Sequence, residues 1–120
     1  MTDQKIIEKL RQELQTARQA EDKGNQGKAR VCARRAAGWA IQTYLEQQGN
    51  PLDTNNALDH IKHFAALEGH PAKYYEVLHH LRIKLEKDSL EEDAYYPIAG
   101  VNLIDEAQWL AETLLEVSLS

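Results

Sequence analysis

Residues 28–45 read KARVCARRAAGWAIQTYL. Within them Ala29, Ala33, Ala36, Ala37, Ala40 and Tyr44 recur at helical spacing and form a stripe of mostly small side chains. Small side chains let a neighbouring helix axis approach toward the short end of the usual ~8–10 Å separation. The opposite side is not cleanly polar. Val31, Arg34, Arg35, Gly38, Gln42 and Leu45 lie there, with Trp39 on the flank. A helix that is partly apolar all round is either central or shared with a second surface. Gly49-Asn50-Pro51 is a strong stop. The stretch predicts a central helix over about 27–48, and with it a helical bundle.

Working outward, the preceding segment, about 3–22, carries Ile6, Ile7, Leu10, Leu14 and Ala17 on one narrow stripe, and Gly24-Asn25-Gln26-Gly27 breaks it. The pattern is that of an outer helix. A third helix is predicted over about 54–68, with Ala57, Leu58, Ile61, Phe64 and Ala65 inward and Gly69 as its end. Pro71 suits the first turn of a fourth, because its missing N–H would be unpaired there anyway. That helix runs to about Lys87, with Tyr74, Val77, Leu78, Leu81 and Leu85 inward. Residues 88–101 read as a loop. A fifth helix starts near Asn102, a good cap, with Asp105 favourable to its dipole. Its inner face is Leu103, Ile104, Ala107, Leu110, Ala111, Leu114 and Leu115, and Trp109 projects roughly opposite.

No segment alternates with period two. The expected architecture is all-α: a five-helix antiparallel up-and-down bundle whose short connections make neighbours antiparallel. At 120 residues and 13.7 kDa, residues 1–120 are expected to form one domain with a core that needs no staples. The apolar runs are too short for a membrane span, and MTDQKIIEKL lacks an apolar signal region. The single cysteine, Cys32, excludes an internal disulfide and a thiolate zinc cluster, and reads as a packed core thiol. Together these features point to the cytoplasm.

The net charge of −5 argues against broad coating of nucleic acid, but it is uneven. Residues 1–48 carry nine Lys/Arg and six Asp/Glu, whereas residues 49–120 carry five and thirteen. No acid falls between Lys23 and Leu45. Such polarity suggests an electrostatic preference for partners or ligands.

The chain resembles the HEPN domain family. The likeness is carried by three features: the helix 28–45 after a long amphipathic first helix, the segment Ala94-Tyr95-Tyr96-Pro97, and Asp105-Glu106-Ala107 near the start of the closing helix. It covers roughly residues 5–118. The resemblance implies a helical bundle that dimerises, works beside a small nucleotidyltransferase in a toxin–antitoxin or defence-type pair, and binds nucleotide. Some members are ribonucleases with an Arg, four to six intervening residues and then a His. Arg11, Arg18, Arg30, Arg34, Arg35 and Arg82 all lack a His at that spacing, which argues against the activity. The stretch Asn55-Asn56-Ala57-Leu58-Asp59-His60 matches only loosely the His-Asp-Leu-like start of the family's third helix.

Three sets of residues carry candidate chemistry. Arg34 and Arg35 supply forked donors for phosphate, Lys28 and Arg30 add field, and Tyr95, Tyr96 or Trp39 could stack on a base for about 1–3 kcal/mol. Val31, Arg34, Gly38, Trp39, Gln42 and Leu45, extended by Trp109, read as an interface with an apolar centre and charged anchors. Its simplest partner is a second copy about a two-fold axis. A hydrolytic alternative uses His79, His80 and Arg82, since a histidine near neutral pKa beside an arginine suits phosphodiester chemistry. His60 and His63, three apart, could share a metal only with two further ligands from elsewhere. Neither a metal nor another cofactor is expected. No phosphate-binding glycine loop or nucleophile elbow is present.

Overall fold

The computed structural model describes residues 2–82 and 101–120. These residues form five helices and no strand: α1 (Gln4–Asp22), α2 (Gln26–Gln47), α3 (Ala57–Ala66), α4 (Ala72–Arg82) and α5 (Leu103–Leu115). The expected extension of the fourth helix to Lys87, the loop with Tyr95, Tyr96 and Pro97, and the inward Leu85 lie outside the described residues.

Four of the five helices start where a short polar side chain replaces a missing backbone partner. Asp3 accepts from the Lys5 N–H, Asn25 from Lys28, Asn56 from Asp59 and Asn102 from Asp105. The α1–α2 corner needs a left-handed residue, and Gly24 supplies it at φ 79°. The Asn25 N–H then reaches back to the Ala20 carbonyl at 2.8 Å, closing the end of α1. α3 begins at Ala57, three residues later than expected. The reason is local: the Thr54 hydroxyl accepts from the Asn56 N–H and donates to Asp59. These bonds hold residues 54–56 in a turn and leave Asn56 as the cap.

α2 is the centre of the molecule. It packs against α1, α5 and α3, and α4 closes the remaining gap between α3 and α5. Ala29, Ala33, Ala36, Ala37 and Ala40 are all fully buried. Alanines contribute little apolar area themselves, but they admit larger neighbours close to the α2 axis. Leu10 and Leu14 of α1, Ile104 and Leu110 of α5, and Ile61 and Phe64 of α3 fill the core around them. Beyond α5, Leu119 folds back into the core, and Arg11 of α1 donates to the Ser118 carbonyl at 3.0 Å. No helix among the described residues is long and apolar enough to cross a membrane.

α2 and α3 approach closely at Gly38. A Cβ placed on Gly38 would lie 2.5 Å from the Ala57 Cβ and 2.6 Å from its Cα. Gly38 therefore seats the first turn of α3 against the α2 backbone.

Candidate functional site

At 100° per residue, Lys28, Val31, Arg35, Trp39, Gln42 and Glu46 fall within an arc of about 80° on α2. α1 covers one edge of this arc and α3 the other. The strip between them is open: Lys28, Val31, Arg35 and Glu46 are exposed, and Trp39 and Gln42 are half-buried. Val31, at 48% exposure, is the most exposed large apolar side chain among the described residues. The ammonium of Lys9 sits 4.0 Å from the centre of the Trp39 ring, a cation–π contact that props the indole at the edge of the strip. Arg35 pairs with Glu13 of α1 at 3.0 Å. Glu13 also accepts from the Cys32 thiol, and burial first, then Glu13, pushes that thiol's pKa up. Cys32 is thus an inert packed thiol, as its small size and position suggested.

Three of the expected surface residues lie elsewhere. Leu45 is in the core and Gly38 is buried under Ala57, so neither faces outward. Arg34 is half-buried and donates from Nε to the Leu81 carbonyl of α4 at 2.8 Å. Burial, with Arg30 beside it, pulls the Arg34 pKa below its ordinary value. The physical reason is shared: this side of α2 is roofed by the α3–α4 pair. Arg34 and Arg35 leave the helix about 100° apart, one toward α4 and the other toward α1, so they do not converge on one phosphate. Trp109 is half-buried on α5, edge-on to Tyr74 of α4 with ring centres 5.7 Å apart. It does not extend the α2 strip. Tyr95 and Tyr96 lie outside the described residues.

The chain matches no family model, no curated protein and no solved structure.

A second group sits between α4 and α5. His80 Nδ1 lies 2.7 Å from Glu106 Oε1, both side chains mostly buried. A carboxylate only accepts, so Nδ1 carries the hydrogen and Nε2 is left as the ring's other face. His79 lies alongside, with ring centres 6.2 Å apart. Next to the pair a cleft of about 260 Å³ is lined by Lys73, Val77, Asp105, Glu106 and Trp109. The pairing of His80 with Glu106 was not visible in the sequence. The available signal was the placement of the histidine in the last turn of α4 and the acid in the first turn of α5.

Two further histidines, His60 and His70, serve the fold. His70 donates from Nε2 to the Phe64 carbonyl at 2.9 Å and stacks among Phe64, Tyr74 and Tyr75. His60 is 1% exposed and donates from Nδ1 to the Asn56 carbonyl, while its Nε2 is buried without a partner. Among the described residues, no three His, Cys, Asp or Glu side chains gather as a metal site.

Proposed function

We propose that this protein is a non-catalytic helical interaction module of the HEPN kind, an antiparallel up-and-down bundle working in the cytoplasm. Recognition falls to the open strip of α2. One observation carries this reading: an exposed Val31 and a half-buried Trp39 share a strip with the exposed Lys28 and Arg35 on a chain that is otherwise acidic. A cationic rim round an apolar centre is the composition of a contact surface, with arginine and tryptophan the residues that anchor such surfaces most often. The first partner is a second copy of the chain. A nucleotidyltransferase in a toxin–antitoxin or defence-type pair, and a nucleotide held by Lys28 and Arg35, are the further partners that the family resemblance suggests.

Sedimentation velocity across the micromolar range tests the association. A dimer is expected, weakened at least about tenfold by Val31→Asp, which places a charge in the apolar centre. A monomer at all concentrations, with no binding of ATP, GTP or short RNA at millimolar ligand, overturns the proposal.

One contact favours a second, hydrolytic reading. Glu106 fixes His80 with Nε2 unprotonated when the ring is neutral, the arrangement that a general base needs to take a proton from a ribose hydroxyl. His79 and the cationic Arg82 stand on the same helix. Incubation with RNA tests it. Cleavage that drops at least about a hundredfold in His80→Ala supports the ribonuclease, whereas intact RNA after prolonged incubation removes it.

A further inference from the structure

α2 and α5 end beside each other, with Thr2 between them. The Thr2 hydroxyl donates to the Leu115 carbonyl at the end of α5 at 3.3 Å, and it accepts from the Gln47 side-chain amide at the end of α2 at 3.2 Å. A cleft of about 470 Å³ opens between these ends and the start of α1. Ile7, Leu114, Leu115 and the Tyr44 ring give it apolar walls, and the exposed Gln47, Gln48 and Glu116 edge it.

The charge in this cleft has one sign. The last carbonyls of a helix carry the equivalent of about half a negative charge, which favours a cation beside them. Two such ends meet here, and Glu116 adds a full carboxylate. No Lys, Arg or His lines the cleft, and the last turns of α2 and α5 hold none. Lys5 and Lys9 line a different groove, and Arg11 is turned to the Ser118 carbonyl. The start of α1 brings a positive end to the same place, and its N-cap, Asp3, offsets it.

We propose that this cleft binds an aliphatic diammonium of the polyamine class. One ammonium meets the carbonyl end of α2, the other meets Glu116 at the end of α5, and the methylene stem lies on Ile7, Leu114 and Leu115. The span agrees with the fold. α2 and α5 pack against each other, and packed helix axes stand ~8–10 Å apart. An extended four-carbon diamine holds its nitrogens about 6 Å apart, and a hydrogen bond of about 3 Å at each end covers the rest. A bare divalent metal ion gains nothing from the apolar walls, and an anion is repelled. The cleft shares no residue with the α2 strip or with the His80–Glu106 pair, so its test bears on neither reading above.

Titration of the full chain with putrescine, followed by amide NMR, is the test. Saturable shifts are expected at Tyr44, Gln47, Leu114 and Glu116, with a dissociation constant of about 1 mM. Butylammonium has the same stem and one charge, and it binds at least about threefold more weakly. Magnesium chloride at equal ionic strength gives no saturable shift at these residues. Glu116→Gln removes the carboxylate charge and raises the putrescine constant about threefold. Gln48→Lys and Glu116→Lys each plant a tethered cation at one edge of the cleft and raise it at least about tenfold. Both positions are exposed, they lie at the ends of different helices, and circular dichroism melts check that each variant is folded. Shifts that magnesium reproduces, or that scatter over the acidic surface, mean that putrescine only screens the net charge of −5, and they overturn the proposal. Folded lysine variants that bind as tightly as wild type overturn it too, as does the absence of any saturable shift up to about 20 mM putrescine.

Discussion

Gly38→Val is expected to lower the stability of the fold by about 3 kcal/mol, and Gly38→Ala by about 1–2 kcal/mol. The clash is with backbone: a Cβ at this position meets the Ala57 Cβ at 2.5 Å, its Cα at 2.6 Å and its carbonyl oxygen at 3.1 Å. No side-chain rotation relieves such a contact, so the first turn of α3 must move. That movement pulls Asn56 away from the Asp59 N–H it caps. Two effects oppose each other in the alanine variant. Glycine inside a helix is disfavoured against alanine by about 1 kcal/mol, so the substitution gains that much in α2. The strain outweighs it because the contact distances lie far inside normal packing. Urea unfolding of the three proteins measures the series. A Gly38→Ala protein more stable than wild type would show that α3 does not seat on Gly38.

Phe64→Ala is expected to lower stability by about 3–5 kcal/mol, a large share of the ~5–15 kcal/mol available to a domain of this size. Phe64 is the largest fully buried side chain among the described residues and lies where α2, α3 and α4 meet. Tyr44 of α2 stands edge-on to it with ring centres 5.8 Å apart, and His70 lies 4.3 Å from it on the other side. Tyr74 and Tyr75 flank His70 in turn, and the Tyr75 hydroxyl donates to the Leu67 carbonyl at 2.6 Å. Truncation opens a cavity that these rings do not close, because His70, Tyr74 and Tyr75 are each held by a second contact. Phe64→Leu keeps most of the volume and is expected to lose only about 1–2 kcal/mol. Thermal or urea melts distinguish the two. Equal losses in the alanine and leucine variants would mean that ring geometry, not filled volume, governs the site.

The helices were legible because their signals are local. Alanine spacing marked the buried side of α2, and all five alanines of the stripe are fully buried. Asn102 and Gly49-Asn50-Pro51 marked ends that depend only on neighbouring residues. What faces each helix is not a local property. Gly38 and Leu45 were read with Val31 on the side opposite the alanine stripe, and the three stand seven residues apart. A heptad drifts about 20° on a straight helix, so this row turns steadily away from the strip, and α3 roofs its far end. Trp109 was read outward for the same reason: the angle opposite the α5 core face was known, the presence of α4 and Tyr74 was not. His80 and Glu106 are twenty-six residues apart, and only the folded arrangement joins them.

The five helices are not held alike. α2 is gripped by three neighbours, whereas α4 leans chiefly on α3 and α5 and inserts Val77, Leu78 and Leu81 between them. The molecule thus has two tiers of rigidity. α4 can swing out as a partial unfolding event while α1, α2 and α5 keep their shared alanine seam. Such an excursion would free Arg34 from the Leu81 carbonyl of α4 while Gly38 stays seated beneath Ala57 of α3, so a cation tied down in the resting protein becomes reachable.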